Sequence, residues 1–164
     1  MTPDTATTIR RLLLAVITLG LVGTAVDLVL LEHYEDSWQL VPLFVIVIAL
    51  GAIAAYMRTG SALTIRVLQS VMLLSVLVGA IGIVLHYQGN LEIQVDMDPT
   101  LSRWQYFTKV MRAKAPPALA PAAMAQLGLL GLVFSYRHPG LEPRRGGFAP
   151  DRVASGHKYR EDES

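Results

Sequence analysis

The chain has 164 residues, of which 52% are hydrophobic and only 16% are charged, and its mean hydropathy is +0.43. This composition is too apolar for an ordinary water-soluble domain of that size. The 14 Lys and Arg residues nearly balance the 13 Asp and Glu residues, so the charge gives no indication of nucleic-acid binding. The absence of cysteine excludes disulfides, cysteine-ligated metals and thiol redox chemistry.

Four apolar stretches predict four membrane-spanning helices, at residues 12–31, 40–57, 63–85 and 118–136. Each is close to the length that a helix needs to cross ~30 Å of hydrocarbon. The β-branched run at residues 45–48 would favour a strand in water, but a segment in lipid must satisfy its own backbone hydrogen bonds. We therefore predict an all-α fold, an integral membrane bundle of four transmembrane helices.

The distribution of Lys and Arg predicts the orientation of this bundle. The N-terminus, the second connection and the C-terminal tail together carry ten of these residues, whereas the first connection carries none and the third carries four. By the positive-inside rule, both termini face the cytoplasm. We expect a multi-pass protein of the plasma membrane, a bacterial-type inner membrane, whose surroundings are the lipid bilayer and which has no nucleic-acid partner.

The third connection, residues 86–117, is too long for a simple turn and divides into two parts. Residues 91–96 alternate apolar and polar side chains, which predicts a short extended segment. Beyond it, apolar residues at helical spacing predict a short amphipathic helix at the outer membrane surface, between the third and fourth spans: Leu101, Trp104, Phe107, Thr108 and Met111.

The chain divides into one transmembrane domain and a tail. The domain covers residues 1–140 and contains the four spans. Residues 141–164 are polar and rich in Gly, Pro, Arg and Glu, which predicts a disordered cytoplasmic tail.

Small residues form a stripe on each of two spans, and each stripe ends in an ionisable residue. The stripes consist of Gly20, Gly23, Thr24 and Asp27 in the first span, and of Ser75, Gly79, Gly82 and His86 in the third. Small residues allow membrane helices to approach closely. If the two stripes face each other, Asp27, Glu32, His33 and His86 gather at the outer end of the bundle.

The two outer connections hold imidazole and carboxylate groups, which suit zinc, copper, iron, nickel or manganese. The candidate metal ligands are His33, His86, Glu32, Glu35, Asp36 and Glu92. Axial ligation of one haem by His33 and His86 is a second possibility. The spacing matches no metal-binding signature, and His, Glu and Asp are common at a hydrated membrane boundary. The sequence therefore requires no cofactor.

Asp27 and Gln126 are the two polar residues within the apolar stretches that we single out as functional candidates. Asp27 is the one acidic residue within a span, where a charge costs about 2.5 to 3.5 kcal/mol at the helix centre. It indicates either proton or cation exchange in a small transporter, or a structural hydrogen bond that fixes helix register. Gln126 lies near the middle of the fourth span and is expected to hydrogen-bond to another helix.

No nucleotide-binding loop, serine nucleophile motif, zincin motif or paired-cysteine motif is present in the sequence. The leading interpretation is a non-catalytic accessory or interaction component of the plasma membrane. Spans rich in Gly and Ala suit a homo-oligomer or docking on a larger membrane complex. The alternatives are a metal- or haem-binding protein with an outer-face site, and a small transporter that uses Asp27.

Overall fold

The computed structural model describes residues 4–112 and 119–142. Within those ranges the chain forms five α-helices and one 3₁₀ turn, with no strand, so the all-helical prediction is confirmed there. The helices are α1 (Thr5–Leu30), α2 (Leu40–Thr59), α3 (Ala62–Met97), α4 (Arg103–Met111) and α5 (Leu119–Ser135), followed by the turn at Pro139–Leu141. Residue 118 of the predicted fourth span, and the predicted tail from residue 143 on, lie outside the described residues.

Three of these helices, α1, α2 and α3, are long and apolar enough to cross a membrane. Helix α5 is also apolar, but it has 17 residues and is shorter than the other three. The protein is therefore a helical membrane protein with at least three candidate spans.

The long helices form a ring in the order α1, α2, α3, α5. Helix α1 contacts α2 and α5, and α3 contacts α2 and α5, whereas α1 and α3 do not contact each other. The core inside the ring is mainly apolar and includes Ile17, Leu21, Ile46, Ile53, Leu68, Met72, Leu127 and Phe134. This is the neighbour order of an up-down bundle, in which the connection between α3 and α5 is long and contains α4.

The connection between α2 and α3 is short because its residues suit the two helix ends. Gly60 ends α2 in the left-handed conformation, with φ of 56°, and donates its N–H to the Tyr56 carbonyl at 2.8 Å. Ser61 then caps α3, because its side chain accepts a hydrogen bond from the Thr64 N–H at 3.3 Å. Glycine carries no steric penalty in the left-handed conformation, and serine is a preferred N-cap.

The closest helix contact lies between α3 and α5. A Cβ atom placed on Gly79 would lie 2.6 Å from the Pro121 carbonyl oxygen, and one on Gly128 would lie 2.6 Å from the Met72 carbonyl oxygen. The two backbones therefore touch at glycines, which is how small residues stabilise membrane helix pairs. This differs from the interpretation in which the stripes of the first and third spans face each other. The third-span stripe packs on α5 instead, at Gly79 and Gly82. In the first span Gly20 faces the Leu127 side chain of α5, whereas Gly23 meets nothing within 4 Å and Asp27 is exposed.

The prediction of an extended segment at residues 91–96 is wrong, because α3 continues to Met97. A lone strand would need a partner for its backbone hydrogen bonds, whereas a helix satisfies them internally. The helix ends where Pro99 disfavours the helical conformation for Asp98, whose φ and ψ are −153° and 90°. With 36 residues, α3 is about 54 Å long, at ~1.5 Å per residue.

Helix α4 occupies the region of the predicted short amphipathic helix. Ser102 caps it, and the side chains of Ser102 and Gln105 form a reciprocal capping box. The helix packs against α3, where the Tyr106 hydroxyl donates to the Asp98 carbonyl at 2.8 Å. Val110 is fully buried, whereas Trp104, Phe107 and Met111, which the sequence assigns to the apolar face, are exposed.

Candidate functional site

The end of α1 sets the position of His33. The N–H of Glu32 donates to the Val29 carbonyl at 3.0 Å, and the N–H of His33 donates to the Leu28 carbonyl at 2.8 Å. These two bonds form a Schellman motif, which requires a left-handed residue just after the helix. Glu32 takes that place with φ of 54°, an uncommon conformation for a residue with a side chain.

The structure brings His33 and His86 together. Their ring centroids lie 5.9 Å apart, and the ring planes are inclined by 26°. His33 reaches this contact although α1 and α3 are not neighbours, because it lies beyond α1 in the connection to α2. His33 is half-buried and His86 is exposed. The end of the bundle therefore presents two adjacent imidazoles.

The surroundings of His33 favour its neutral form. Burial lowers the pKa of His33, and the nearby charge of His86 lowers this pKa further. Both causes act against a second positive charge at the pair. A neutral imidazole has a free ring nitrogen, which can accept a proton or bind a metal ion.

The predicted carboxylate ligands are not gathered around this pair. Glu32, Glu35, Asp36 and Glu92 are all exposed. The backbone N–H groups of Glu35 and Asp36 donate to the Gln39 side-chain oxygen at 3.0 and 3.2 Å, which orders the connection without involving the carboxylates. Among residues 4–112 and 119–142, no three His, Cys, Asp or Glu side chains are grouped so that they could hold a metal ion.

Asp27 and Gln126, the two polar residues singled out within predicted spans, both point away from the core. Asp27 is exposed on α1, one turn before its end, and Gln126 is exposed near the middle of α5. Neither side chain hydrogen-bonds to another described residue of the chain. The inward face of α5 is occupied by Gly128, Gly131 and Phe134, all buried, so that Gln126 faces outward. The helix partner expected for Gln126 is not found within the described part of this chain.

Sequence reasoning missed an aromatic cluster at the opposite end of the bundle. The rings of Tyr56 and Phe134 meet edge to face at 5.2 Å, and His138 packs against both at 5.5 Å. The Tyr56 hydroxyl and the His138 Nε2 atom are 3.0 Å apart. The signal available in the sequence was that Tyr56 and His138 both lie where a predicted span ends on the same side of the membrane.

His138 also holds the chain that follows α5. Its Nδ1 atom accepts a hydrogen bond from the Gly140 N–H at 3.1 Å, so the neutral ring carries its proton on Nε2 and donates it to Tyr56. Burial lowers the pKa of His138, and the charge of Arg10 lowers this pKa further. Arg10 in turn donates to the carbonyls of Tyr136 and Arg137, at 3.3 Å each. Contacts from α1 and α2 thus fix the end of α5.

No family model matches the chain, and no curated protein or solved structure matches it. A functional proposal therefore depends on the residues described above.

Proposed function

We propose that the protein is a plasma-membrane protein with four spans, α1, α2, α3 and α5, and with both termini in the cytoplasm. Helix α5 is about 25 Å long, at ~1.5 Å per residue, and it completes the ring between α1 and α3. The Lys and Arg residues, which are concentrated at the termini and in the second connection, support this orientation.

In this orientation α3 extends beyond the hydrocarbon on the outer side. Its length of about 54 Å exceeds the ~30 Å thickness of the hydrocarbon, so the last turns project from the membrane. Helix α4 packs on this extension, and the exposed rings of Trp104 and Phe107 stack at 5.4 Å. Aromatic side chains favour the headgroup region, which supports an interfacial position for α4.

The proposed activity is non-catalytic. The protein acts as an accessory component that associates laterally with protein in the same membrane. The observation that carries this proposal is the exposed amide of Gln126 near the middle of α5, without a hydrogen-bond partner in the described chain. Lipid tails offer no hydrogen bonds, so an unpaired amide at that depth is unfavourable. A polar group from a neighbouring protein would satisfy it.

The test is the mass of the protein in nanodiscs formed directly from native membranes with a membrane-active polymer. We expect protein mass above that of one 17.9 kDa chain, and a decrease when Gln126→Leu removes the amide. The matched control is Leu77→Ala, because Leu77 is exposed on α3 at a similar depth. A single chain per disc for the unmodified protein would contradict the proposal.

A second candidate function is binding of a transition-metal ion at the outer end of the bundle. The observation that favours it is the contact between the rings of His33 and His86, with a centroid distance of 5.9 Å. Imidazole is a common ligand of zinc, and water would complete the coordination. Titration with Zn²⁺ should show one site per chain that His33→Gln and His86→Gln each weaken at least about tenfold. Equal binding by the variants would refute it.

A further inference from the structure

We propose that a second copy of this chain covers Gln126, so that the protein forms a two-fold dimer through the outward face of α5. The inference depends on the proposed lateral association and names its partner. It also identifies the surface involved.

The outward face of α5 forms one exposed row, the proposed seam. Its residues within the helix are separated alternately by three and four positions, Leu119, Ala122, Gln126, Leu129 and Val133, and Tyr136 follows just after the helix end. All are exposed except Ala122, which is partly exposed and small enough to allow close approach. Alternating spacing of this kind forms the seam between two helices that cross at a small angle. Gln126 is the polar member near the middle of this seam.

The chemistry of Gln126 suits an identical partner. Two copies with the same orientation place their Gln126 residues at the same depth in the membrane. A side-chain amide both donates and accepts hydrogen bonds, so two of them can pair reciprocally across a two-fold axis. An unrelated protein would have to present a suitable polar group at this depth.

The exposed face of α1 fits a second copy less well. An exposed polar residue of that face is Asp27. A carboxylate accepts hydrogen bonds but donates none, and two carboxylates at equal depth would repel each other. Gln126, by contrast, carries a self-complementary amide on the exposed face of α5.

Cysteine crosslinking tests this arrangement directly, because the chain contains no cysteine. Leu129→Cys and Val133→Cys place a thiol on the proposed seam, at side chains that are 53% and 64% exposed. The controls are Leu77→Cys on α3 and Phe44→Cys on α2, at side chains that are 52% and 67% exposed. Oxidation in native membranes should crosslink the two seam variants into dimers and leave both controls monomeric.

Substitutions of Gln126 in the Val133→Cys variant test the role of the amide. Gln126→Leu should weaken dimerisation by about threefold to thirtyfold, the effect of losing an interhelical hydrogen bond, whereas Gln126→Asn should retain most of it. If the nanodiscs hold more than one protein chain but the seam variants do not crosslink in native membranes, the dimer is overturned and lateral association stands. Discs with a single chain would overturn both.

Discussion

The contact between α3 and α5 gives a sharp prediction for Gly128→Ala. A Cβ atom at this position would lie 2.6 Å from the Met72 carbonyl oxygen and 2.9 Å from the Val76 nitrogen. Both are backbone atoms, so no rotation of a side chain can make room. The matched control is Gly51→Ala on α2, where a Cβ atom would meet nothing within 4 Å.

The size of the destabilisation expected for Gly128→Ala follows from these Cβ distances. Ordinary van der Waals contact begins at 3.4 Å, so the helices must separate locally by about 0.8 Å to accept the methyl group of Gly128→Ala. Overpacking of this kind costs about 1 to 3 kcal/mol. Both variants gain the same helix propensity, about 0.5 to 1 kcal/mol. Gly128→Ala should therefore be about 1 to 3 kcal/mol less stable than Gly51→Ala.

The assay is reversible unfolding in mixed micelles with increasing SDS, followed by helical ellipticity. The free energies of unfolding of the two variants are compared with that of the unmodified protein. Gly79→Ala provides an independent test of the same interface, because a Cβ atom there would lie 2.6 Å from the Pro121 carbonyl oxygen. If Gly128→Ala and Gly79→Ala both matched Gly51→Ala in stability, the close backbone contact between α3 and α5 would be refuted.

Three further predictions concern the two ends of the bundle. Glu32→Gly should raise the free energy of unfolding by about 0.5 to 1 kcal/mol, because glycine adopts the left-handed conformation without strain; a lower melting temperature would contradict this. The pKa of His33, measured by NMR, should lie below its ordinary value of 6.5 and rise in His86→Gln; an unchanged pKa would show that the rings do not interact. The pKa of His33 is lower in the folded protein than in the unfolded chain. The stability that neutral His33 contributes is therefore complete above pH 6.5 and is lost as the pH falls toward the pKa of the folded protein. Tyr56→Phe should lower the free energy of unfolding by about 0.5 to 1.5 kcal/mol, because it removes the hydrogen bond to His138. Equal free energies of unfolding for the variant and the unmodified protein, measured by chemical denaturation, would exclude that bond.

Apolar stretches predicted where the helices lie, but not where they end. The second predicted span, residues 40–57, agrees with α2 to within two residues. The first and third helices begin or end several residues outside their apolar stretches. Hydropathy marks the segment that lipid requires, whereas caps and prolines decide where a helix stops, as Pro99 does after α3.

The sequence could place His33 and His86 at the same end of the bundle, but it could not predict their contact. Glycine stripes indicate that a helix approaches a neighbour closely, but they do not identify the neighbour. Gly20 in the first span and Gly79 in the third both face α5, which lies between α1 and α3. The histidines meet because the Schellman motif after α1 directs His33 across the end of the bundle. The outward direction of Gln126 likewise depends on which face of α5 the glycines occupy.

The central claim is that protein, rather than lipid, covers the face of α5 around Gln126. A spin label at Leu129→Cys reports the surroundings of that face and leaves Gln126 in place, and a label at Leu77→Cys reports a matched exposed site on α3. Collision with dissolved oxygen, measured by electron paramagnetic resonance in native membranes, distinguishes lipid contact from protein contact. We expect a markedly lower oxygen collision rate at residue 129 than at residue 77. Equal, lipid-like rates at both sites would contradict it.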